Sequence, residues 1–175
     1  MLLTTLVRLR WLVTKRIAVT SIILGAITVA SFSVWFIPQS NDSSFVISDF
    51  KGHLESIQAR HTVITEEIEN DLKNMLVGTV QPDDFIMKAE ASTAQINSLV
   101  IEIAKSEAPQ EWHESYLNYG ESLKRYNDYL RESIVIANKA KGGISDKELQ
   151  DNLETLDTIK KESESFALKS NETKP

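Results

Sequence analysis

After Ser44 the apolar residues of this chain recur at alternating steps of four and three, the spacing of helices with one buried face. No stretch alternates at every second residue as a half-buried strand would. A first helix is expected from about Ser44 to Val77, with Phe50, Leu54, Ile57, His61, Ile64, Ile68, Leu72 and Met75 on one face. Gly78 and the turn "TVQPDD" stop it. A second helix opens at Pro82 or Asp83, where acids suit the positive end of the helix dipole. It carries Phe85, Ala89, Ser92, Ile96, Leu99 and Ile103 inward. The third starts at Pro109, whose missing N–H costs nothing in a first turn, and runs to about Lys141. Its face is Trp112, Tyr116, Tyr119, Leu123, Tyr126, Leu130, Ile134 and Ala137. After "KGGIS", Ser145 and Glu148 form a capping box for a fourth helix bearing Leu149, Leu153, Leu156, Ile159 and Phe166.

Four amphipathic helices with short connections pack as an up-down-up-down antiparallel bundle. The expected first helix, at ~50 Å, outreaches the fourth at about 35 Å by the helical rise, so one end of the bundle should be thinner. The fourth is the most polar and should open first, and three long helices with a loosely docked fourth is the rival arrangement. The bundle is expected over residues 45–168, with 169–175 as a flexible tail.

The N-terminal pattern is different. Ile17 to Ile37, "IAVTSIILGAITVASFSVWFI", holds 21 residues without a charge, enough at about 1.5 Å per residue to span a ~30 Å hydrocarbon core. Residues 1–16 carry Arg8, Arg10, Lys15 and Arg16, Trp11 and Trp35 mark the two borders, and Pro38 ends the run. The fold class expected is thus all-α, with one transmembrane helix (17–37), a polar linker (38–44) and the bundle. By the positive-inside rule the N-terminus is cytoplasmic and the bundle extracytoplasmic in a single-pass cell-membrane protein. A cleaved signal peptide fits less well, because its apolar region is shorter and the small residues near Ala30 to Ser33 lie inside this run. Ser21 with Gly25, and Ala26 with Ala30, are small-x-x-x-small pairs that let a partner helix approach, although small residues are common in any span.

The net charge of −6 conceals an asymmetry: the first 40 residues hold four bases and no acid, and the rest holds 15 bases against 25 acids. So acidic a domain repels a phosphate backbone, and nucleic acid is excluded as an expected partner. With no cysteine the chain has no disulfide, thiolate metal site or thiol nucleophile.

The densest chemistry is Ala108 to Leu130, "APQEWHESYLNYGESLKRYNDYL", with Trp112, His113 and all four tyrosines. Phase assigns the aromatics to a core stripe. The alternative is a ligand pocket walled by Trp112 and Tyr116. His61 falls in the middle of the first apolar face and reads as a hydrogen-bonded core histidine, while His53 and His113 sit at stripe edges. No Glu-x-x-His occurs, so the sequence offers no bundle metal site, and no cofactor or catalytic residue is expected. The acids of "EEIEND", Glu66 to Asp71, read as a solvated face rather than an acid-base pair.

On the second helix Met87, Ala91, Ala94, Ser98 and Ile101 make another four-three line, roughly opposite the first. Such a helix is either sandwiched in its own bundle or faces another protein. His113, Leu117 and Val135 lie off the main stripe of the third helix. Ser21, Gly25, Ala26, Ala30, Met87, Ala94, Ile101, His113 and Leu117 are therefore the candidate partner-facing residues. Asn41 and Asn171 head Asn-x-Ser/Thr sequons in the linker and the tail.

Ser106 to Lys141, "SEAPQEWHESYLNYGESLKRYNDYLRESIVIANKAK", resembles a segment of small prokaryotic, notably archaeal, single-span proteins with an outer helical bundle. In these a helix opens with Pro, has an aromatic three residues on and runs into Tyr and Leu. The resemblance implies a non-catalytic accessory subunit of a membrane enzyme, as in archaeal ammonia monooxygenase. Lipid bilayer and other membrane subunits are then the expected partners, and the resemblance brings no site residues with it. A membrane-anchored ligand-binding or sensing bundle is the competing expectation.

Overall fold

The computed structural model describes residues 47–175, and all of its regular structure is helical. The helices are α1 (Phe50–Leu76), α2 (Pro82–Lys105), α3 (Gln110–Gly142) and α4 (Asp146–Glu172), together a four-helix bundle. The expected span 17–37 with Ser21, Gly25, Ala26 and Ala30, the linker 38–44 and Asn41 lie outside the described residues. Among the described residues no helix is long and apolar enough to cross a membrane.

Cross-helix pairs fix the directions. His53 meets Tyr116 and His61 meets Tyr119, so α1 and α3 run parallel. Arg60 with Glu102 and Asp71 with Lys88 set α2 antiparallel to α1, and Gln58 with Asn171 and Glu69 with Lys160 set α4 antiparallel to α1. This is the up-down-up-down order.

The boundaries follow local chemistry. Asp49 accepts from the Gly52 N–H at 2.9 Å and caps α1, so this helix starts at Phe50 rather than near Ser44. Gly78, at φ 81°, turns the chain out of α1. Pro82 fills the first position of α2, and Ser145 caps α4 by accepting from the Glu148 N–H.

Two expectations about α4 are corrected. It is 27 residues long, the same as α1, and continues through Glu172, so residues 169–172 are helical, Asn171 sits in the last turn and 173–175 lie beyond the helix. Nor is α4 loosely docked, because α3 and α4 form the most extensive helix-to-helix contact of the bundle.

The cause is a row of serines that a hydrophobicity pattern does not register. Ser115, Ser122, Tyr129 and Ile136 on α3 and Leu149, Leu156, Ser163 and Ser170 on α4 step by seven residues in opposite directions. Ser115 Oγ donates to the Ser170 carbonyl at 2.7 Å, and Ser163 Oγ donates to the Ser122 carbonyl at 2.8 Å. All four serines are buried, and their small side chains let the helices close while each hydroxyl satisfies itself across the seam. The α2–α3 contact is similarly tight at Gly120, where a Cβ would stand 3.3 Å from Ile103 Cγ2.

The core holds the predicted apolar residues: Leu54, Ile57, Ile64, Ile68, Leu72 and Met75 of α1, Phe85, Ala89, Ile96, Leu99 and Ile103 of α2, and Leu123, Leu130 and Ala137 of α3. Between α1 and α3 the space is filled by Tyr116, Tyr119 and Tyr126.

Candidate functional site

Two histidine-tyrosine pairs line the α1–α3 contact. In the outer one, the Tyr116 hydroxyl donates to the Phe50 carbonyl at 2.9 Å and lies 2.9 Å from His53 Nδ1, and the two rings stack at 5.9 Å. His53 Nε2 faces Glu102 at 3.1 Å, and Arg60 holds the same carboxylate oxygen at 2.7 Å. Burial, with help from the charges of Asp49 and Glu102, pushes the Tyr116 hydroxyl up to about 12. A phenol so held is a fixed hydrogen-bonding group at neutral pH rather than a base.

The inner pair is drier. His61 is 8% exposed, its Nδ1 lies 2.9 Å from the Tyr119 hydroxyl, and its ring meets Tyr126 edge to face at 4.8 Å. His61 Nε2 is buried without a hydrogen-bond partner. Desolvation lowers the His61 pKa to about 4, so the ring is neutral at physiological pH. Desolvation likewise raises the Tyr119, Tyr126 and Tyr129 hydroxyls. Spacing places His61 in the core, and the structure adds its partner and the cause of its neutrality.

No protein-family model, curated protein or solved structure matches this chain.

Among the described residues no group of three or more His, Asp or Glu side chains is placed to hold a metal. Of the "EEIEND" acids, Glu66 and Glu67 are exposed as their phase suggests, whereas Glu69 and Asp71 are less solvated. Asp71 is buried and takes Lys88 at 2.7 Å, and Glu69 takes Lys160 at 2.7 Å. These acids flank the core stripe, where a lysine from the neighbouring helix reaches over and compensates them. They hold helices together and do not converge on a cleft.

The apolar line of α2 resolves clearly. Met87, Ala91, Ala94, Ser98 and Ile101 are all exposed, with Met87 at 64% and Ile101 at 53%, so within the bundle α2 is not sandwiched. Around the corner, a groove of about 440 Å³ runs between the C-terminal end of α2 and the start of α3. Val100, Ile103 and Gly120 form its floor, with His113, Leu117 and Lys124 on the α3 side. His113 is exposed and Leu117 is 56% exposed. The groove opens where Ser106 to Pro109 carry the chain away from α2, through Glu107 at φ 46°.

Tyr116 borders this groove from within, while Trp112 stands edge-on to Tyr116 at 6.4 Å and packs against the core. The structure thus brings His113, Leu117 and Tyr116 to one place, beside but separate from the line of Met87, Ala94 and Ile101. Sequence phase identifies both surfaces as off-core. The groove itself depends on the α2–α3 turn, which no periodicity encodes.

Proposed function

We propose that this chain is a non-catalytic accessory subunit of a membrane protein complex. Residues 17–37 tether it to the bilayer, residues 1–16 lie on the cytoplasmic side, and the extracytoplasmic bundle braces neighbouring subunits. The observation that carries the reading is the exposed apolar line of α2, opposite a fully formed core face on the same helix. A helix whose inward face is already buried gains nothing within its own chain from a second apolar face, and such a face marks an interaction surface. Many of the bundle's polar side chains are engaged in helix-to-helix pairs, which agrees with a bracing role.

The resemblance of Ser106 to Lys141 to archaeal accessory subunits, those of ammonia monooxygenase among them, points the same way. The test is native electrophoresis of membranes solubilised in mild detergent at native expression level. An accessory subunit comigrates with larger partners, which can then be identified. Migration as a free chain refutes the reading.

The groove at His113, Tyr116 and Leu117 favours a second reading, an anchored bundle that binds a small apolar ligand. Trp112, edge-on to Tyr116, reports on it. Fluorescence that responds saturably to a ligand, and loses the response in Leu117→Glu, would establish this reading. An unresponsive Trp112 across a broad apolar panel counts against it.

A further inference from the structure

The outward line of α2 has an internal order that a generic contact face does not need. Met87 and Ile101 each lie seven residues from Ala94, and Ala91 and Ser98 lie three and four residues from it. Read from either end, the line runs large, small, small, small, large. Its ends carry opposite charge, with exposed Asp83 and Asp84 in the first turn and exposed Lys105 in the last. Asp83 is ion-paired with Lys141 of its own chain, and the two acids stand on either side of the line's end.

Such an order is self-complementary under a two-fold rotation. Two copies of α2 laid antiparallel about Ala94 place Ala94 against Ala94, Met87 against Ile101, Ala91 beside Ser98, and the acidic first turn of Asp83 and Asp84 against Lys105. We propose that the occupant of this face is a second copy of the chain, docked antiparallel through α2 about a two-fold axis at Ala94. An interface of this type is isologous, and each contact away from the axis occurs twice.

Charge decides the direction. A parallel pairing would set the two acidic first turns together and Lys105 against Lys105, whereas the antiparallel one brings the acidic turn of each copy to the basic turn of the other. Shape agrees, since Ala91, Ala94 and Ser98 let the helix axes approach to about 8 Å while Met87 and Ile101 fill the diverging ends. The dimer leaves the His113–Leu117 groove open for other subunits.

Size sets the strength. Met87 to Ile101 rises about 21 Å along the helix. One helix pair of that length covers on the order of half the ~800 Å² per partner of a standard interface. The dimer is therefore weak in dilute solution and is best trapped covalently.

The proposal rests on the reading of this face as a contact surface, not on the identity of any complex. The chain has no cysteine, which makes trapping clean. Full-length Ala94→Cys in membranes under mild oxidation should form a disulfide-linked dimer at least about tenfold faster than Asp151→Cys, an exposed position on α4. A mixture of Met87→Cys and Ile101→Cys chains should cross-link faster than either chain alone, and adding Ala94→Glu to both should abolish this while leaving helicity unchanged.

Ala94→Cys cross-linking no faster than the control overturns the proposal. Met87→Cys alone linking as fast as the mixture overturns the antiparallel geometry. Comigration with other proteins but no Ala94→Cys dimer means that another subunit covers α2, so the dimer fails and the accessory role stands. A dimer without any larger assembly means the converse, so the pairing stands and the accessory role fails.

Discussion

Acid should loosen this bundle through one residue, His61. Its folded-state pKa is lowered to about 4 by burial, against the ordinary 6.5 that the unfolded chain would show. The unfolded state therefore binds the proton more readily, and folding stability is complete above about pH 6.5 and lost progressively as pH falls towards 4. Each unit of difference is worth about 1.4 kcal/mol, so between pH 7.5 and pH 5 this histidine alone should cost ~2 kcal/mol, approaching ~3 kcal/mol below the folded pKa.

The structural reason is specific. Tyr119 can satisfy Nδ1, but an imidazolium also presents an Nε2 proton into a site where that nitrogen finds no partner. The assay is urea unfolding of the full chain in detergent, followed by far-UV circular dichroism across this pH range, for the native sequence and for His61→Gln. The variant is less stable at neutral pH but should lack the histidine-dependent part of the slope, and the carboxylate pairs contribute equally to both. Parallel slopes for the two proteins, or a His61 NMR titration near 6.5 in the folded state, would refute the reasoning.

Other outcomes follow from the packing. Tyr119→Phe leaves His61 with neither nitrogen bonded and should cost about 1 to 3 kcal/mol, read as a lower urea midpoint. Ser163→Leu drives a bulky side chain into the α3–α4 seam and should cost about 1 to 3 kcal/mol, whereas Ser163→Ala loses only a hydrogen bond worth about 1 kcal/mol. Equal effects would show that α4 stands off α3. Gly120→Val should destabilise by about 1 to 3 kcal/mol despite valine's better helix propensity, because Ile103 occupies the space. A stabilised variant would show that α2 can move away.

Membership of the helices, their inward faces and the buried place of His61 are legible from spacing alone, because burial on a helix follows a period near 3.6 and apolar residues report it directly. The caps are legible where a capping box marks them, as at Ser145. Asp49 caps with no such box, so apolar spacing alone runs past it and starts the first helix several residues early. The serine seam is invisible for a physical reason. Ser115, Ser122, Ser163 and Ser170 are polar by composition and become core residues only when another helix supplies carbonyls to their hydroxyls.

The same dependence on partners explains the acids. Glu69 and Asp71 look solvated until Lys160 and Lys88 arrive from other helices. The sequence by itself determined which face of each helix turns inward and that α2 carries a second apolar line. Only tertiary structure decided that the line is exposed, that a groove opens beside Leu117, and that α4 is clamped rather than loose. Periodicity is a property of one helix, whereas exposure, grooves and seams are properties of pairs.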